Sequence, residues 1–427
     1  KIDLKFSRFK GDGIIAFKGC TILSMDEDLP NQGIIKNGTV IIKNDRIVKI
    51  GKESRVKPPP GAKIINGKGM YLLPGFIDLH SHMNLDRDIH RKTLWSFMVN
   101  LAYGVTTARD PQSMDINIFT YADRVAIGDM IGPRVFTTGP GIFNNSPVNN
   151  LEDAKRIVQK YSDYYRVNTV KQYLSGNRRH RQLLNMAIQD AQLIPTTEGM
   201  DMKLMVTQIM DGYSLEHTLP HYPLYKDMIE LIVKSGTYYD PTVIVGTGPR
   251  AEYYYWTRTD VHGNKKLNHF FPHDILDLQT RRVPWFHESE FSYKEYAKTF
   301  KNIVNAGGKI GVGSHGEMQG ICYHWELWNI QSGGMSEMDA LRCATIIGSE
   351  AIGFSNDLGS IEEGKLADLI LLTKNPLDDI RNTNSIKYVM KNGILYNADS
   401  LDEVWPTIKK LPPQYWHGKT PKHHDKY

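Results

Sequence analysis

The stretch G-F-I-D-L-H-S-H, residues 75 to 82, decides the reading of this chain. Gly75 to Leu79 reads as a short buried strand that delivers two histidines at its C-terminal end. Side chains two apart on a strand point the same way, so His80 and His82 can reach one metal ion together. A solvated surface pair is the plain alternative. An apolar strand ending in both histidines favours the metal.

Outward from this stretch, strand-like runs alternate with amphipathic helical ones. The strands are expected at Gly75–His82, Gly104–Asp110, Arg134–Gly139, Asn168–Tyr173, Leu193–Glu198, Tyr213–His217, Tyr238–Val245 and Lys309–His315. Helices are expected between them, for example Leu151–Tyr165, Arg179–Gln192 and Tyr222–Lys234, with Glu337–Ile347 following the eighth strand. Eight such units predict a closed (β/α)8 TIM barrel over residues 75–357, with a doubly wound open sheet as the other architecture. The flanks read differently. Ile14–Ser24, Thr39–Ile50, Lys63–Leu73, Ala367–Thr373 and Ile386–Tyr396 look like strands, with turn chemistry at Asn37-Gly38, Asn44-Asp45 and Asn392-Gly393. Residues 1–74 and 358–427 are therefore expected to form one composite β-sandwich domain.

One connection stands out, at about 245–292, rich in Tyr253, Tyr254, Tyr255, Trp256, Phe270, Phe271, Trp285 and Phe286. A loop this long is expected to be a lid, a binding loop or an interface, or else a satellite packing its own aromatics. The basic tail Lys419–Tyr427, with His423-His424, reads as a surface terminus.

In a barrel the chemistry collects where strands end, and the ends here are polar. The fourth strand ends in Val170-Lys171-Gln172-Tyr173, the fifth in Thr196-Thr197-Glu198-Gly199, the sixth in Leu215-Glu216-His217 and the eighth in Gly313-Ser314-His315-Gly316-Glu317. A lysine at a buried strand end needs a partner. Beside cationic metals its amine would favour the neutral form and could add carbon dioxide as a carbamate. A salt bridge to a local acid is the alternative. Tyr173 could polarise a substrate carbonyl. Arg178, Arg179 and Arg181 could bind a substrate carboxylate bidentately or form a polar helix face. His324 and Trp325 read as packing or as support for the site.

Composition narrows the classes. The chain has 427 residues, 41% hydrophobic, with a net charge of +5 from interspersed acids and bases, which speaks against nucleic-acid binding. Three cysteines without a Cys-x-x-Cys suggest neither a disulfide framework nor a thiolate metal site. No apolar run approaches the roughly 18 residues of a membrane span. The start at Lys1, without methionine or signal peptide, reads as a trimmed or excised piece.

P-G-F-I-D-L-H-S-H, K-Q-Y, L-E-H and the return sequence G-S-I-E-E-G-K-L-A-D-L-I-L-L at 359–372 resemble the amidohydrolase superfamily, near its imidazolonepropionase-like and prolidase-like branch. R-R-H-R-Q, T-T-E-G, G-S-H-G-E-M-Q-G and H-W-E-L look like the members fused behind a TolB-like propeller, so a longer parent chain is expected. The resemblance implies two divalent ions, zinc first with manganese, iron, cobalt or nickel open. Carried over by position, His80 and His82 hold the more buried metal, Lys171 bridges as a carbamate, and His217 holds the second. Two positions depart from the pattern. The fifth strand offers Glu198 where the family has histidine, and the eighth offers His315 where it has aspartate. One carboxylate and one imidazole have traded strands, so the charge of the ligand set is kept. The catalytic base then falls to His315, if it is not tied up as a ligand, or to Glu317. The implied activity is hydrolysis of a C–N bond in a dipeptide, N-acyl amino acid or cyclic amide. An ester or phosphotriester hydrolase, and a non-catalytic module of a propeller protein, are the alternatives. A homo-oligomer is expected. The compartment is open, with the resemblance leaning toward periplasmic or secreted and cytoplasmic also open.

Overall fold

The computed structural model describes residues 5–83, 85, 90–144, 147–199, 201–219, 221–246 and 248–418. The histidine-bearing tail lies outside the described residues. Both chain ends contribute to one nine-stranded sheet. Its first strands are β1 (Ile14–Leu23), β2 (Ile34–Lys43), β3 (Arg46–Lys52), β4 (Lys63–Asn66) and β5 (Tyr71–Pro74). The barrel strands follow as β6 (Phe76–Asp78), β7 (Val105–Asp110), β8 (Arg134–Thr137), β9 (Thr169–Tyr173), β10 (Ile194–Glu198), β11 (Ser214–Glu216), β12 (Tyr238–Asp240) and β13 (Lys309–Ile310). The chain then returns to the first sheet through β14 (Leu369–Leu372), β15 (Ile386–Lys391), β16 (Ile394–Asn397) and β17 (Glu403–Trp405).

The two ends meet where β14 pairs antiparallel with β5, Leu371 opposite Leu72. Alternate residues of these strands, among them Phe17, Ile22, Leu72, Leu369, Leu371 and Met390, bury a shared core on one face. Asn44-Asp45 and Asn392-Gly393 are turns, as read. Asn37-Gly38 is not: it lies inside β2 as a bulge. Asn37 takes φ 50°, and the pairing with β1 slips between Gly38 opposite Cys20 and Ile35 opposite Ile22. Gly38 is needed because a Cβ there would come within 2.3 Å of Ile22 Cδ1.

The eight parallel barrel strands form two arcs, β6-β7-β8 and β9 through β13. Backbone hydrogen bonds join the arcs on both sides. Leu79 N donates to Val312 O at 2.9 Å, while Ile142 N donates to Lys171 O and Tyr173 N to Ile142 O at 2.9 and 2.8 Å. The ring is closed, which removes the open-sheet reading. Most strands are shorter than expected. The eighth leaves the ladder after Ile310 because Gly311 and Gly313 press against β6 and β12. A Cβ on Gly313 would stand 2.4 Å from the Asp240 carboxylate and 2.5 Å from His80 Cβ.

The barrel helices are α1 (Trp95–Ala102), α2 (Asn117–Ala126), α3 (Leu151–Gln159), α4 (Arg178–Asp190), α5 (Met202–Met210) and α6 (Lys226–Ser235). Asn150, Asn177 and Asp201 cap α3, α4 and α5 with side-chain oxygens. The expected helix to Tyr165 changes at Lys160 into one wide π turn, closed by Arg166 in the left-handed region. The long connection carries α7 (Ala251–Trp256), α8 (Lys265–Phe270) and α9 (His273–Thr280) before α10 (Tyr293–Asn305). After the eighth strand come α11 (Ile321–Gln331), α12 (Glu337–Cys343) and α13 (Ile346–Ala351), the last two dividing the single helix expected there. Among the described residues, no helix is long and apolar enough to cross a membrane.

The aromatic insertion does not build a core of its own. Tyr255, Trp256, Phe270 and Phe271 are buried in the same cluster as Trp325 of α11. The Tyr255 ring stacks on Trp325 at 5.2 Å, and Trp256 meets it edge-on at 4.7 Å. Trp325→Ala removes the surface on which α7 rests. The expected result is a loss of about 3–5 kcal/mol in urea unfolding, with faster proteolysis between residues 257 and 264. An unchanged midpoint and cleavage pattern would show that α7 docks independently of Trp325.

Candidate metal centre

The barrel ends bring four histidines together. His80 and His82 follow β6, His217 follows β11, and His315 follows the eighth strand. Ring centroids of His80 lie 5.0 Å from His82, 4.7 Å from His217 and 5.0 Å from His315. One ligand atom from each of His80, His217 and His315 lies within 4.8 Å of the others. His217 and His315 adopt φ 71° and 60°, the left-handed region that side chains rarely occupy. That turn matters. Adjacent residues on a strand face opposite ways, yet Glu216 and His217 both reach the centre because the strand ends between them.

The ring nitrogens are sorted. Three Nδ1 atoms face oxygens: His315 Nδ1 lies 3.1 Å from Glu317 Oε1, and His217 Nδ1 lies 2.8 Å from Thr242 Oγ1. His80 Nδ1 lies 3.5 Å from Glu216 and 3.7 Å from Asp240. The Nε2 atoms of His80 and His82 face each other at 3.2 Å, and His217 Nε2 faces Glu198 Oε2 at 3.0 Å.

Lys171 closes the floor. It is fully buried, with its ammonium 3.0 Å from Glu198 and in close contact with Glu216. The Tyr173 ring lies over it, 4.4 Å from Nζ to the centroid. Glu216 also accepts from Arg109 Nη2 at 2.7 Å and Thr196 Oγ1 at 2.8 Å. Arg109 is fixed in turn by donating from Nε to Leu79 O at 2.7 Å.

Electrostatics follow from burial and pairing. Burial, reinforced by neighbouring cationic groups, lowers His82 to about 3 and holds His80 well below the usual histidine range. Burial also lowers His315, against the opposing pull of Glu317. At neutral pH these three imidazoles are uncharged, the form that binds metal. Burial disfavours the Lys171 ammonium, but Glu216, Tyr173 and Glu198 together raise it above an ordinary lysine. Burial would raise Glu198, yet His217 and Lys171 bring it down to about 2. Asp240 is different. It is buried, neither carboxylate oxygen has a hydrogen-bond partner, and burial pushes it well above the usual carboxylate range.

Two neutral imidazole nitrogens facing each other at 3.2 Å repel unless a proton or cation lies between them. Beside them, the Asp240 oxygens and His80 Nδ1 are buried without hydrogen bonds. A set of nitrogen and carboxylate donors with unmet demand fits a divalent cation of the zinc type.

The remaining expected site residues are placed as follows. Glu317 reaches the centre through His315. Tyr173 lies at its edge, stacked on Phe143 at 4.7 Å. The arginines are held elsewhere. Arg178 binds Asp211, at 2.8 Å from Nη2, Arg181 is buried and donates to Gly176 O at 2.9 Å, and Arg179 is exposed on α4. His324 and Trp325 are packing residues. His324 is bonded to Thr383 and the Tyr103 carbonyl, 3.0 and 2.9 Å away. Sequence reasoning missed Glu216, Asp240 and Arg109. Asp240 could have been found as an acid at the end of an apolar strand, Tyr238-Tyr239-Asp240-Pro241.

Residues 201–395 match the amidohydrolase family model. The chain is similar to a 5'-deoxyadenosine deaminase of Methanobrevibacter smithii, 23% identical over 416 aligned residues that cover 85% of this chain and 86% of that protein. Among solved structures it resembles a Xaa-Pro dipeptidase, with TM-score 0.69 and 20% identity over 90% of this chain and 100% of that one. It also resembles molinate hydrolase, with TM-score 0.71 and 17% identity over 95% and 99% of the two chains. These structural likenesses show the fold, a TIM barrel beside a β-rich domain. The chain carries an amidohydrolase-family domain on that fold.

Proposed function

We propose that this chain hydrolyses the C–N bond of a small amide, in a dipeptide, an N-acyl amino acid or a cyclic amide, at a centre of two divalent ions. The observation that carries the reading is the convergence of His80, His217 and His315 on a floor of Lys171, Glu198 and Glu216. Likeness to a Xaa-Pro dipeptidase supports the small-amide class. Arg178 and Arg181 on α4 are engaged elsewhere, so a free substrate carboxylate is not required by this reading.

In this reading His80, His82, His217, Glu198, His315 and a carbamylated Lys171 would hold the ions. Divalent ions there supply Lewis acidity and bring water toward deprotonation near neutral pH. Lys171 changes its charge to take part. Its ammonium loses a proton, the amine bonds the carbon of carbon dioxide, and a second proton leaves, giving a carbamate. That exchange turns a buried cation into an anion, so it demands incoming positive charge. Arg109 keeps Glu216 in place as this happens. Tyr173, whose ring lies over Lys171, is assigned the role of polarising a substrate carbonyl. A second reading makes His315 the proton acceptor, since Glu317 on Nδ1 is also how a carboxylate orients a general base.

Protein prepared without chelator is expected to hold two transition-metal ions per chain by elemental analysis, and removing them is expected to abolish amide hydrolysis. Protein that takes up no metal on reconstitution would contradict the centre. Protein that binds metal but hydrolyses esters or phosphotriesters, and no amide of a dipeptide and N-acyl library, would contradict the bond assignment.

If Glu198 and His315 are ligands, Glu198→Ala and His315→Ala each lower metal content. Glu198→Ala is then the more damaging, because it leaves positive charge uncompensated. If His315 is the base, His315→Ala keeps its metal and loses roughly 10²–10⁴-fold in kcat. Wild-type metal and activity in both variants would remove these residues from the site.

A further inference from the structure

We infer that the aromatic insertion controls the metal centre through Arg250, which holds Glu317 on His315. The inference rests on the metal reading and not on the substrate. Glu317 Oε1 lies 3.1 Å from His315 Nδ1, and the same oxygen lies 3.5 Å from Arg250 Nη1. Arg250 Nη1 also lies 3.3 Å from Glu252 Oε1. Arg250 therefore stands between two carboxylates, one of which touches a histidine of the cluster.

The support behind Arg250 is rigid. It is the residue before α7, whose Tyr255 and Trp256 are fixed on Trp325, and Tyr255 donates to Asn329 Oδ1 at 2.8 Å. Before it, the buried Glu326 carboxyl accepts from Val243 N and Ile244 N at 2.7 Å each. Without Arg250, Glu252 and Glu317 would repel across the site mouth, and Glu317 would swing toward solvent. With it, Glu317 keeps a proton on Nδ1 and leaves Nε2 of His315 free to face the centre. Carboxylates in this relation to a liganding histidine typically strengthen metal binding by about 10–100-fold. Arg250 is a positioning residue, acting through Glu317.

A double-mutant cycle tests this, with zinc affinity of reconstituted full-length protein measured by chelator competition. Glu317→Gln is expected to weaken zinc binding about 10–100-fold, and Arg250→Met about tenfold. Arg250→Lys restores part of the loss. In the Glu317→Gln background Arg250→Met adds nothing, since its route is gone. Arg258→Met, in the same insertion with its guanidinium over Tyr254 at 4.0 Å, leaves the affinity unchanged. Additive losses from Arg250→Met and Glu317→Gln would overturn the inference, as would unchanged zinc affinity in both. Wild-type protein that takes up no zinc contradicts the metal reading itself. Wild-type uptake with unaffected variants contradicts this positioning chain alone.

Discussion

A lysine ammonium buried within β9 is the constraint around which the barrel mouth is arranged. Charge cannot be left uncompensated in that interior, so Lys171 requires Glu216 and Glu198, and Glu216 requires Arg109 and Thr196 to satisfy its remaining oxygen. Arg109 in turn is tied to the carbonyl of Leu79, immediately before the first histidine. A chain of charge compensation thus runs across β7, β9, β10 and β11. It fixes the ends of those strands relative to the His80–His82 pair. His80, His82 and His315 remain neutral because burial and the neighbouring cationic groups oppose their protonation.

The architecture was legible because each strand end carries its own signal. Lys171, Glu198, His217 and His315 all fall at predicted strand ends, and all four reach the same centre. The legible residues were those whose chemistry is unusual in its place, such as a lysine after an apolar run. Glu216 was not legible for a geometric reason. On a regular strand Glu216 and His217 would face opposite sides, and only the left-handed backbone of His217 lets both turn inward. Such local exceptions to strand periodicity leave no trace in the residue pattern. The Asn37-Gly38 bulge was misread as a turn for the same kind of reason, since the dipeptide favours left-handed backbone in both settings. Arg178 and Arg181 show the converse. They lie beside the catalytic rim in sequence, but Asp211 and the Gly176 carbonyl hold their guanidinium groups.

The insertion between β12 and α10 links stability to chemistry. Tyr255, Trp256, Phe270 and Phe271 are part of the barrel core, and Arg250, the residue before α7, lies 3.5 Å from Glu317. The segment has no separate core and is continuous with α11 through Trp325. His217 and His315 hold left-handed backbone at a cost of order 1–3 kcal/mol each.

The central claim is that the histidine Nε2 atoms, over Lys171 and Glu198, enclose divalent metal. Anomalous X-ray diffraction at the zinc edge, on crystals of reconstituted protein, tests it most directly. The account predicts two peaks inside the barrel mouth, one against His80 and His82 and one against His217, with density for a carbamate extending from Lys171 between them. Absence of a peak there, with Lys171 remaining an ammonium between Glu216 and Glu198 at saturating zinc, would contradict it.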